Sequence, residues 1–490
     1  VTKWPMGAFT LSHPVGFGFL HLLTGNPRYA DLARQCLDKI FEGQVDRDSR
    51  HSWTAPGTGF RLSFVLQSIC LTYDFCYDAW PPEYRKSVVE KVLNMNAPKV
   101  DKKKTYTLEK LAQADGYPPT SNHYGAYLLG PGLVALAFKG DPGADDKRLD
   151  NLLKTVESNL QKVLGSGFGD YGWFSEGTSC GRIAANYGIL PLMQSLKIAG
   201  GKDYITPRPV GRATVLRLMH EIVPTGEGMT EKAGKMVPTP NRALIPHRGD
   251  YGDHELYKRP IISHMGDFAL GMGAVLPQEA KAMAWIYNHF VEPGPQKTWN
   301  SGYYPHLLVY AFVNWPTQEV NPGEVFPRVI ADTVHGYYVA RNRWQDRDDV
   351  LVTTLLKRCP GGYKSGQVSA GTVVWGLGEK FSFGRLSGRT VHFRAARDGS
   401  MELADEKGNA LVVDFSQTVP MVAATGSLQV QGKRTKSTTL DVGGKPVTVV
   451  TLTTGEHPVP TVSGNVIHLG NQIITYTEDK MMLSRFDAIQ

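Results

Sequence analysis

Two short polar clusters in the first half of the chain carry residue types suited to carboxylate binding and proton transfer. Asn122 and His123 form the first cluster, directly before an apolar segment predicted as a helix over about 128–138. The start of a helix offers backbone N–H groups without partners, and an amide and an imidazole beside them suit a carboxylate. His123 can also move a proton near neutral pH. The alternative is that Ser121 or Asn122 only caps the helix and that His123 packs in the core.

The second cluster is a glycine-rich loop over residues 169–182, which leads into a helical segment over 183–190. Its aromatic and charged side chains favour a sugar-binding surface, in which Arg182 would face an anionic group. Glu176 in the same loop is a candidate general acid or base. The alternative is that Trp173 and Phe174 are ordinary core residues.

Two further segments hold candidate side chains. Residues 246–255 combine Arg248 with several acids and histidines, and a metal site, a substrate-facing loop and a plain surface loop all fit this spacing. Tyr303 and Tyr304 precede the last predicted helix of the first half and are secondary candidates for lining a cleft. Ordinary packing is the alternative for both tyrosines.

The elements that must position these clusters are helices. Up to about residue 313, apolar residues recur at steps of three and four, as over 62–76, which indicates amphipathic helices. Proline-containing starts precede two of the predicted helices, about 28–41 and 83–94. About twelve helical segments, without a visible repeat of 33 to 45 residues, favour an α/α toroid or a long helical array of diverged pairs.

After a proline-rich stretch over 314–327, the pattern changes to short strands separated by turns. Since 490 residues exceed what one hydrophobic core supports, at least two domains are expected. The prediction is an α+β multidomain chain, with an N-terminal α/α toroid over 1–320 and a C-terminal antiparallel β-sandwich over 321–490. The predicted strands cover 336–341, 350–357, 371–375, 390–395, 428–431, 447–454 and 472–476.

The composition of the chain restricts the kinds of molecule that it is expected to bind. The net charge of +7 favours an acidic partner, but the basic clusters are too short for a nucleic-acid-binding stripe, so no nucleic acid is expected. No window approaches the roughly 18 consecutive apolar residues of a membrane-spanning helix. The five cysteines form no CxxC pair, so neither a disulfide scaffold nor a cysteine zinc site is expected. Because the chain begins at Val1 without a leader, a processed or trimmed product is expected.

Three motifs, taken in order, resemble the heparinase II/III-like superfamily, which includes heparin, chondroitin and alginate lyases and dermatan sulfate epimerase. The resemblance covers most of the helical half and, through the order of helices and strands, the whole chain. The motifs are Tyr73-Asp74-Phe75-Cys76-Tyr77-Asp78-Ala79-Trp80-Pro81, Asn122-His123-Tyr124 before an apolar helix, and the loop over 169–182 leading into Asn186-Tyr187-Gly188.

This resemblance implies a toroid followed by antiparallel sheets, β-elimination on uronic-acid polysaccharides, and a secreted or periplasmic location. It implies that Asn122 and His123 bind the uronate carboxylate and that a tyrosine after the glycine-rich loop transfers the proton. A simple register places Cys180 at the expected tyrosine, and Tyr187 lies seven residues further on, near the same helical face. Tyr187 is therefore the predicted proton-transfer residue. The predicted substrate-binding residues are Tyr124, Trp173, Glu176, Arg182, Arg248, Tyr303 and Tyr304.

The sequence departs from the family in the predicted sandwich. Many relatives carry a Gly-His-x-His-x-Asp type segment with a catalytic histidine and metal ligands, whereas the comparable stretch here, 364–370, has no histidine. No metal and no other cofactor is therefore expected.

Three other functions fit the same residues. A glycoside hydrolase would use paired carboxylates, such as Glu176 with Asp250 or Asp253. A uronyl C5-epimerase would take the same proton and return it without cleaving the chain. A non-catalytic polysaccharide-binding protein would bind without turnover.

Overall fold

The structure is a computed structural model that describes most of the chain. Helices predominate in the first two thirds, and the sheets of four or more strands lie in the last third. The described residues are 9–182, 187–207, 210–224, 229–232, 235–238, 243–245, 265–292, 305–356, 371–377, 379–383, 390–425, 428–431, 435–453 and 455–487.

The described α-helices all end before residue 326. Single turns of 3₁₀ or π geometry lie at Tyr77–Ala79, Tyr287–Val291 and Pro305–Leu308. The α-helices are α1 Ser12–Thr24, α2 Pro27–Phe41, α3 Gly59–Phe75, α4 Pro82–Leu93, α5 Leu108–Ala112, α6 Asn122–Phe138, α7 Asp146–Ser166, α8 Thr178–Arg182, α9 Leu190–Ile198, α10 Val210–Glu221, α11 Met265–Met272, α12 Pro277–Ile286, α13 Val309–Asn314 and α14 Pro322–Val325.

Helix α2 begins where the sequence indicates. Pro27 occupies its first position, and the Asn26 side chain accepts a hydrogen bond from the Arg28 N–H at 3.0 Å. The predicted helix over 28–41 is confirmed to within one residue.

Helix α6, in contrast, begins six residues before its predicted start. The Ser121 hydroxyl accepts a hydrogen bond from the His123 N–H, so the helix already includes Asn122 and His123 in its first turn. The prediction from the apolar run alone was wrong because polar residues extend the helix toward its N-terminus.

Pro131 lies inside α6. Because proline has no backbone N–H, it cannot donate the helical hydrogen bond to the carbonyl of Tyr127. The Ser63 hydroxyl of α3 donates to that carbonyl at 2.9 Å. Next to it, Gly130 allows close approach, since a Cβ there would meet the Ser63 Cα and the Leu66 side chain at under 3.0 Å. The two buried helices α3 and α6 are thereby fixed against each other.

Three antiparallel sheets follow the helices. Sheet A has the order β16-β11-β10-β9-β8-β7, sheet B the order β12-β13-β14-β15-β18-β17, and sheet C the order β19-β20-β21-β22. These strands are β7 Val329–Asp332, β8 Tyr337–Arg341, β9 Leu351–Leu355, β10 Gly371–Gly376, β11 Glu379–Phe383, β12 Thr390–Ala395, β13 Met401–Asp405, β14 Ala410–Asp414, β15 Met421–Thr425, β16 Leu428–Gln431, β17 Lys436–Val442, β18 Lys445–Thr451, β19 Thr461–Ser463, β20 Val466–Leu469, β21 Gln472–Thr477 and β22 Lys480–Leu483.

Two-stranded pairings connect short strands of the helical part. They are β1 Ala97–Pro98 with β2 Thr105–Tyr106, β3 Val223–Pro224 with β6 Ala243–Leu244, and β4 Met229–Lys232 with β5 Lys235–Pro238.

The middle strands of sheet B are buried on both faces. Leu403 and Val413 join an apolar cluster with Val352 and Val374 of sheet A, whereas Ala404 and its neighbours on the other face join residues of sheet C. Because side chains alternate along a strand, one strand can serve two cores, and β13 and β14 are therefore buried at every position.

No helix in the described part of the chain is long and apolar enough to cross a membrane.

Candidate active site

The imidazole of His123 lies in an aromatic pocket at the start of α6. Tyr117 stacks on it with ring centroids 4.3 Å apart and planes within 13°. The Phe60 ring of α3 meets it edge-on at 4.9 Å. His123 is half-buried, and its Nδ1 is a buried atom without a hydrogen-bond partner in the described part of the chain.

The surroundings of His123 keep its ring neutral. Burial lowers its pKa to about 4, and the positive charges of Arg61 and Lys104 act in the same direction. At neutral pH the ring therefore carries one proton and serves as a donor at one nitrogen and an acceptor at the other. The sequence does not reveal this burial, so it could not predict the lowered pKa; the role of His123 in moving a proton stays a prediction.

The backbone N–H of Asn122 is hydrogen-bonded inside the protein, whereas its side chain is not bonded to a described residue. Its N–H donates to a carboxylate oxygen of Glu176 at 2.9 Å, and this carboxylate is itself buried at the start of the helix. The Asn122 side chain is only 7% exposed. Its amide makes no hydrogen bond to the residues that the structure describes.

Glu176 comes from the glycine-rich loop, so this contact joins the two clusters of the sequence. The neighbouring Ser175 hydroxyl donates to the Thr120 carbonyl at 2.5 Å. The carboxylate thus caps the helix that carries Asn122 and His123, and its role is to position that helix start.

Arg61 has a fixed orientation beside this pocket. Its guanidinium lies 4.8 Å from the centroid of the Phe60 ring, and its Nη1 is 3.1 Å from His51 Nε2. Since arginine only donates, His51 accepts through Nε2 and carries its proton on Nδ1, which lies 3.6 Å from Asp48. Burial lowers the pKa of His51 to about 3, with Arg61 as the next cause, so this imidazole is neutral as well.

The other end of the glycine-rich loop is bound to sheet A. The Asp332 carboxylate, at the end of β7, accepts the N–H groups of Tyr171 at 3.2 Å and Trp173 at 2.9 Å. Gly169 packs so closely on this carboxylate that any side chain there would overlap it. Asp170 in turn accepts the Thr333 hydroxyl at 2.6 Å.

Trp173 is not a sugar platform. It is 0% exposed, and its indole stacks on Tyr337 of β8 at 3.8 Å. The Arg217 guanidinium lies 5.2 Å from the same indole. The predicted substrate contact is therefore corrected: Trp173 belongs to the core between the helices and sheet A, because its large apolar surface is the most favourable to bury there.

The predicted substrate contact of Tyr124 is corrected as well, because this side chain is also buried. Its side chain is buried, and its hydroxyl donates to the Asn159 side chain of α7 at 2.8 Å. Asn159 also donates to the Ala112 carbonyl at 2.8 Å. Tyr124 thus connects α6 to α7, and its hydroxyl is engaged inside the protein.

Tyr187 is also buried, with 4% of its surface exposed. Its hydroxyl lies 3.4 Å from the buried carboxylate of Asp267 in α11. Its ring meets Phe64 edge-on at 6.2 Å, and Phe64 meets Phe60 at 6.0 Å. Two phenylalanines therefore connect Tyr187 with His123, and its assignment as the proton-transfer residue stays a prediction.

Cys180 of α8 is a buried residue, as the small-core alternative predicts. Within the described residues, no group of three or more His, Cys, Asp or Glu side chains could hold a metal ion. Several predictions lie outside the described residues or side chains: those for the Arg182 side chain, for Tyr303 and Tyr304, for segment 246–255 with Arg248, and for segment 364–370.

Sequence reasoning missed three residues of the site, namely Tyr117, Arg61 and Lys104. Tyr117 lies five residues before Asn122 in a proline-containing segment without periodicity, so closeness along the chain was its only signal. Arg61 lies within the helical pattern of α3, where a charged residue usually faces solvent. Lys104 belongs to a short run of three lysines, 102–104, whose only signal in the sequence is positive charge.

Comparisons with known proteins give a distant likeness in fold. No protein-family model matches the chain, and no curated protein matches it. A mutant of heparan sulfate lyase HepC from Pedobacter heparinus is similar with a TM-score of 0.47 and 12% identity, over 100% of this chain and 84% of that one. A heparinase III structure gives 0.45 and 8%, over 97% and 82% of the two chains. A heparinase III with methylated lysines gives 0.48 and 10%, over 97% and 83%. Because every one of these TM-scores is below 0.5, the activity has to be inferred from the side chains themselves.

Proposed function

We propose that this chain is a lyase that cleaves a uronic-acid polysaccharide by β-elimination and leaves an unsaturated uronate end. The observation that carries the proposal is the pair of adjacent side chains, Asn122 and His123, in the first turn of α6. Both are wholly or partly buried, and neither has a hydrogen-bond partner for its side chain in the described part of the chain. The Asn122 amide and the His123 ring nitrogen that is not buried therefore have no acceptor among the described residues, and both can donate to a ligand.

The chemistry of elimination requires such a pair. The C5 proton of a uronate is barely acidic, and the enolate-like intermediate must be stabilised by donors directed at the carboxylate. The amide of Asn122 is one donor, and the neutral ring of His123, protonated on the nitrogen that is not buried, is the other. Arg61 and Lys104 add a positive field that favours an anionic ligand.

Glu176 has a supporting part in this proposal. Its carboxylate holds the Asn122 N–H, so it fixes the direction in which the amide side chain leaves the helix start. A hydrolase would need this carboxylate as an acid or base near a second one. Its engagement with the backbone favours the lyase.

The finer architecture belongs to the same proposal. We propose that the helices close into an α/α toroid over 1–320 and that the sheets over 321–490 form a β-sandwich. A polymeric acidic substrate also fits a secreted or periplasmic location.

An ultraviolet assay for the unsaturated product tests the function. The full chain is incubated separately with heparan, chondroitin, dermatan, hyaluronan, alginate, glucuronan and ulvan, and absorbance is followed. Asn122→Ala is compared with Asn151→Ala, a matched change on the exposed face of α7. Product from at least one polymer, lost in Asn122→Ala and kept in Asn151→Ala, is expected. New reducing ends without absorbance would instead establish hydrolysis, and binding without either product would establish a non-catalytic protein.

A further inference from the structure

The phenol of Tyr117 combines two properties: its hydroxyl has no acceptor among the described residues and, unlike the Tyr127 hydroxyl, it is not buried. Several tyrosine hydroxyls of the helical part are engaged with acceptors inside the protein. Tyr117 is half-buried, and its hydroxyl makes no hydrogen bond to a described residue. The engaged pairs are Tyr73 with Asp141, Tyr84 with Asp38, Tyr124 with Asn159 and Tyr187 with Asp267.

The ring of Tyr117 is covered, so a sugar cannot stack on it. His123 lies flat against it at 4.3 Å, and the Lys104 ammonium lies 5.7 Å from its centroid. The Tyr127 ring meets it at 5.5 Å. What Tyr117 offers to a ligand is therefore its hydroxyl.

A rigid turn holds this hydroxyl in place. The Tyr117 N–H donates to the Ala114 carbonyl at 3.3 Å, and Gly116 has a φ of +86°, which favours glycine. The Lys104 ammonium donates to the Asp115 carbonyl at 2.7 Å, so the cation is fixed to the same turn. Two prolines follow Tyr117 and stiffen the connection to Asn122.

We propose that Tyr117 is the catalytic residue that moves the proton in this site, an assignment that rests on the proposed lyase function. Its ring contact with His123 places the phenol beside the residues that would bind the uronate carboxylate, and the C5 proton is adjacent to that carboxylate. Lys104 lies over the ring, with its ammonium 5.7 Å from the centroid, and adds positive charge next to the site.

In this proposal, Tyr117 alone carries out both proton transfers of the elimination. The phenolate oxygen of Tyr117 takes the C5 proton, and the C5–H bond breaks as the O–H bond forms. The electron pair of C5 forms the C4–C5 double bond while the C4–O4 bond breaks. The departing O4 then takes the proton from the Tyr117 phenol, and the phenolate is restored. Neither an oxidant nor a metal is needed for this balance.

Three phenylalanine variants of the full chain test the assignment. Tyr117→Phe removes one oxygen and no described hydrogen bond, so its thermal unfolding should match the wild type. Its rate on the polymer that the wild type cleaves should fall at least about 100-fold. Tyr204→Phe changes another half-buried tyrosine, outside the site, and should leave the rate unchanged. Tyr187→Phe is the direct rival and should lose less activity than Tyr117→Phe.

A pH profile separates catalysis from mere packing. Fluorotyrosine at position 117 has a more acidic phenol, and the limb of the rate profile that reports deprotonation should move to lower pH. A packing role would leave that limb in place. A wild type that cleaves none of the polymers overturns the proposed function and this assignment together. An active wild type with a near-normal Tyr117→Phe, or a limb that does not move, overturns the assignment alone.

Discussion

Replacing Asp332 with asparagine tests the buried carboxylate that joins sheet A to the glycine-rich loop. Burial raises its pKa to about 6, although the N–H groups of His335, Trp173 and Tyr171 act in the opposite direction and Asp170 adds to the rise. An unfolded aspartate has a pKa of about 3.9. Between these two pH values the folded chain binds more protons than the unfolded chain, so the free energy of unfolding falls as pH rises.

The size of this fall follows from the shift. Two pKa units correspond to about 3 kcal/mol at about 1.4 kcal/mol per unit. Asparagine cannot ionise, so Asp332→Asn lacks this dependence. Because an unfolded aspartate is already about half ionised at pH 4, the difference in unfolding free energy, wild type minus variant, should decrease by about 2 kcal/mol between pH 4 and pH 7.

Urea unfolding at pH 4, 5, 6 and 7 measures this difference, and the replacement of one acceptor oxygen by an NH2 group adds a constant offset. Asp170→Asn is the matched control on the same loop. Burial raises the pKa of Asp170, but hydrogen bonds from Thr333 and Val334 outweigh it and the net shift is downward. Its own contribution is thus fully present above about pH 4 and is lost below. Because Asp170 also adds to the raised pKa of Asp332, the Asp170→Asn difference should decrease from pH 4 to pH 7, but by less than the Asp332→Asn difference. A flat or rising difference for Asp332→Asn would refute the reasoning.

Four further predictions concern the proposed activity. Asn122→Ala and His123→Ala should each lower the rate about 10²–10³-fold with unchanged thermal unfolding, as expected when one donor to a developing enolate is lost; near-normal turnover in both would remove this site. The pH–rate profile of the wild type should show no limb near 6.5 from His123, because burial first, and then Arg61 and Lys104, lower its pKa to about 4; a limb there that vanishes in His123→Ala would contradict this. Chelation should leave activity unchanged, and restoration by one specific metal after a loss would show the opposite. Cys180→Ser should keep most of the activity, whereas a loss as large as that of Tyr187→Phe or Tyr117→Phe would bring the thiol into the chemistry.

Local signals in the sequence predicted where a helix begins better than they predicted which elements contact each other. Asn26 and Pro27 predicted the start of α2 because cap and first position are set by neighbouring residues. The start of α6 was misplaced because Ser121 was weighed as a cap without extending the helix to it. The sequence also suggested that Asn122 and the loop of Glu176 share one site, but not that a backbone hydrogen bond joins them.

Long-range packing accounts for most of the other differences. Whether Trp173 faces a sugar or a core depends on Tyr337, and its N–H partner Asp332 is 159 residues away. Neither contact leaves a periodic mark in the sequence. Tyr117 went unnoticed for a similar reason, since its neighbour Lys104 is brought to it by a turn rather than by a helix or strand.

The glycine-rich loop is held at both ends by buried carboxylates, Asp332 on its early residues and Glu176 at the start of α6. These two contacts determine what a truncated chain would lose. A fragment that stops after α14 would retain every residue proposed for catalysis but would lose the acceptor for Trp173 and its stacking partner Tyr337. The indole would then lie against water, and the loop that sets the position of Asn122 would have only one support. The sheets are thus a structural part of the candidate site, and the helical part is a poor unit for grafting, truncation or expression by itself.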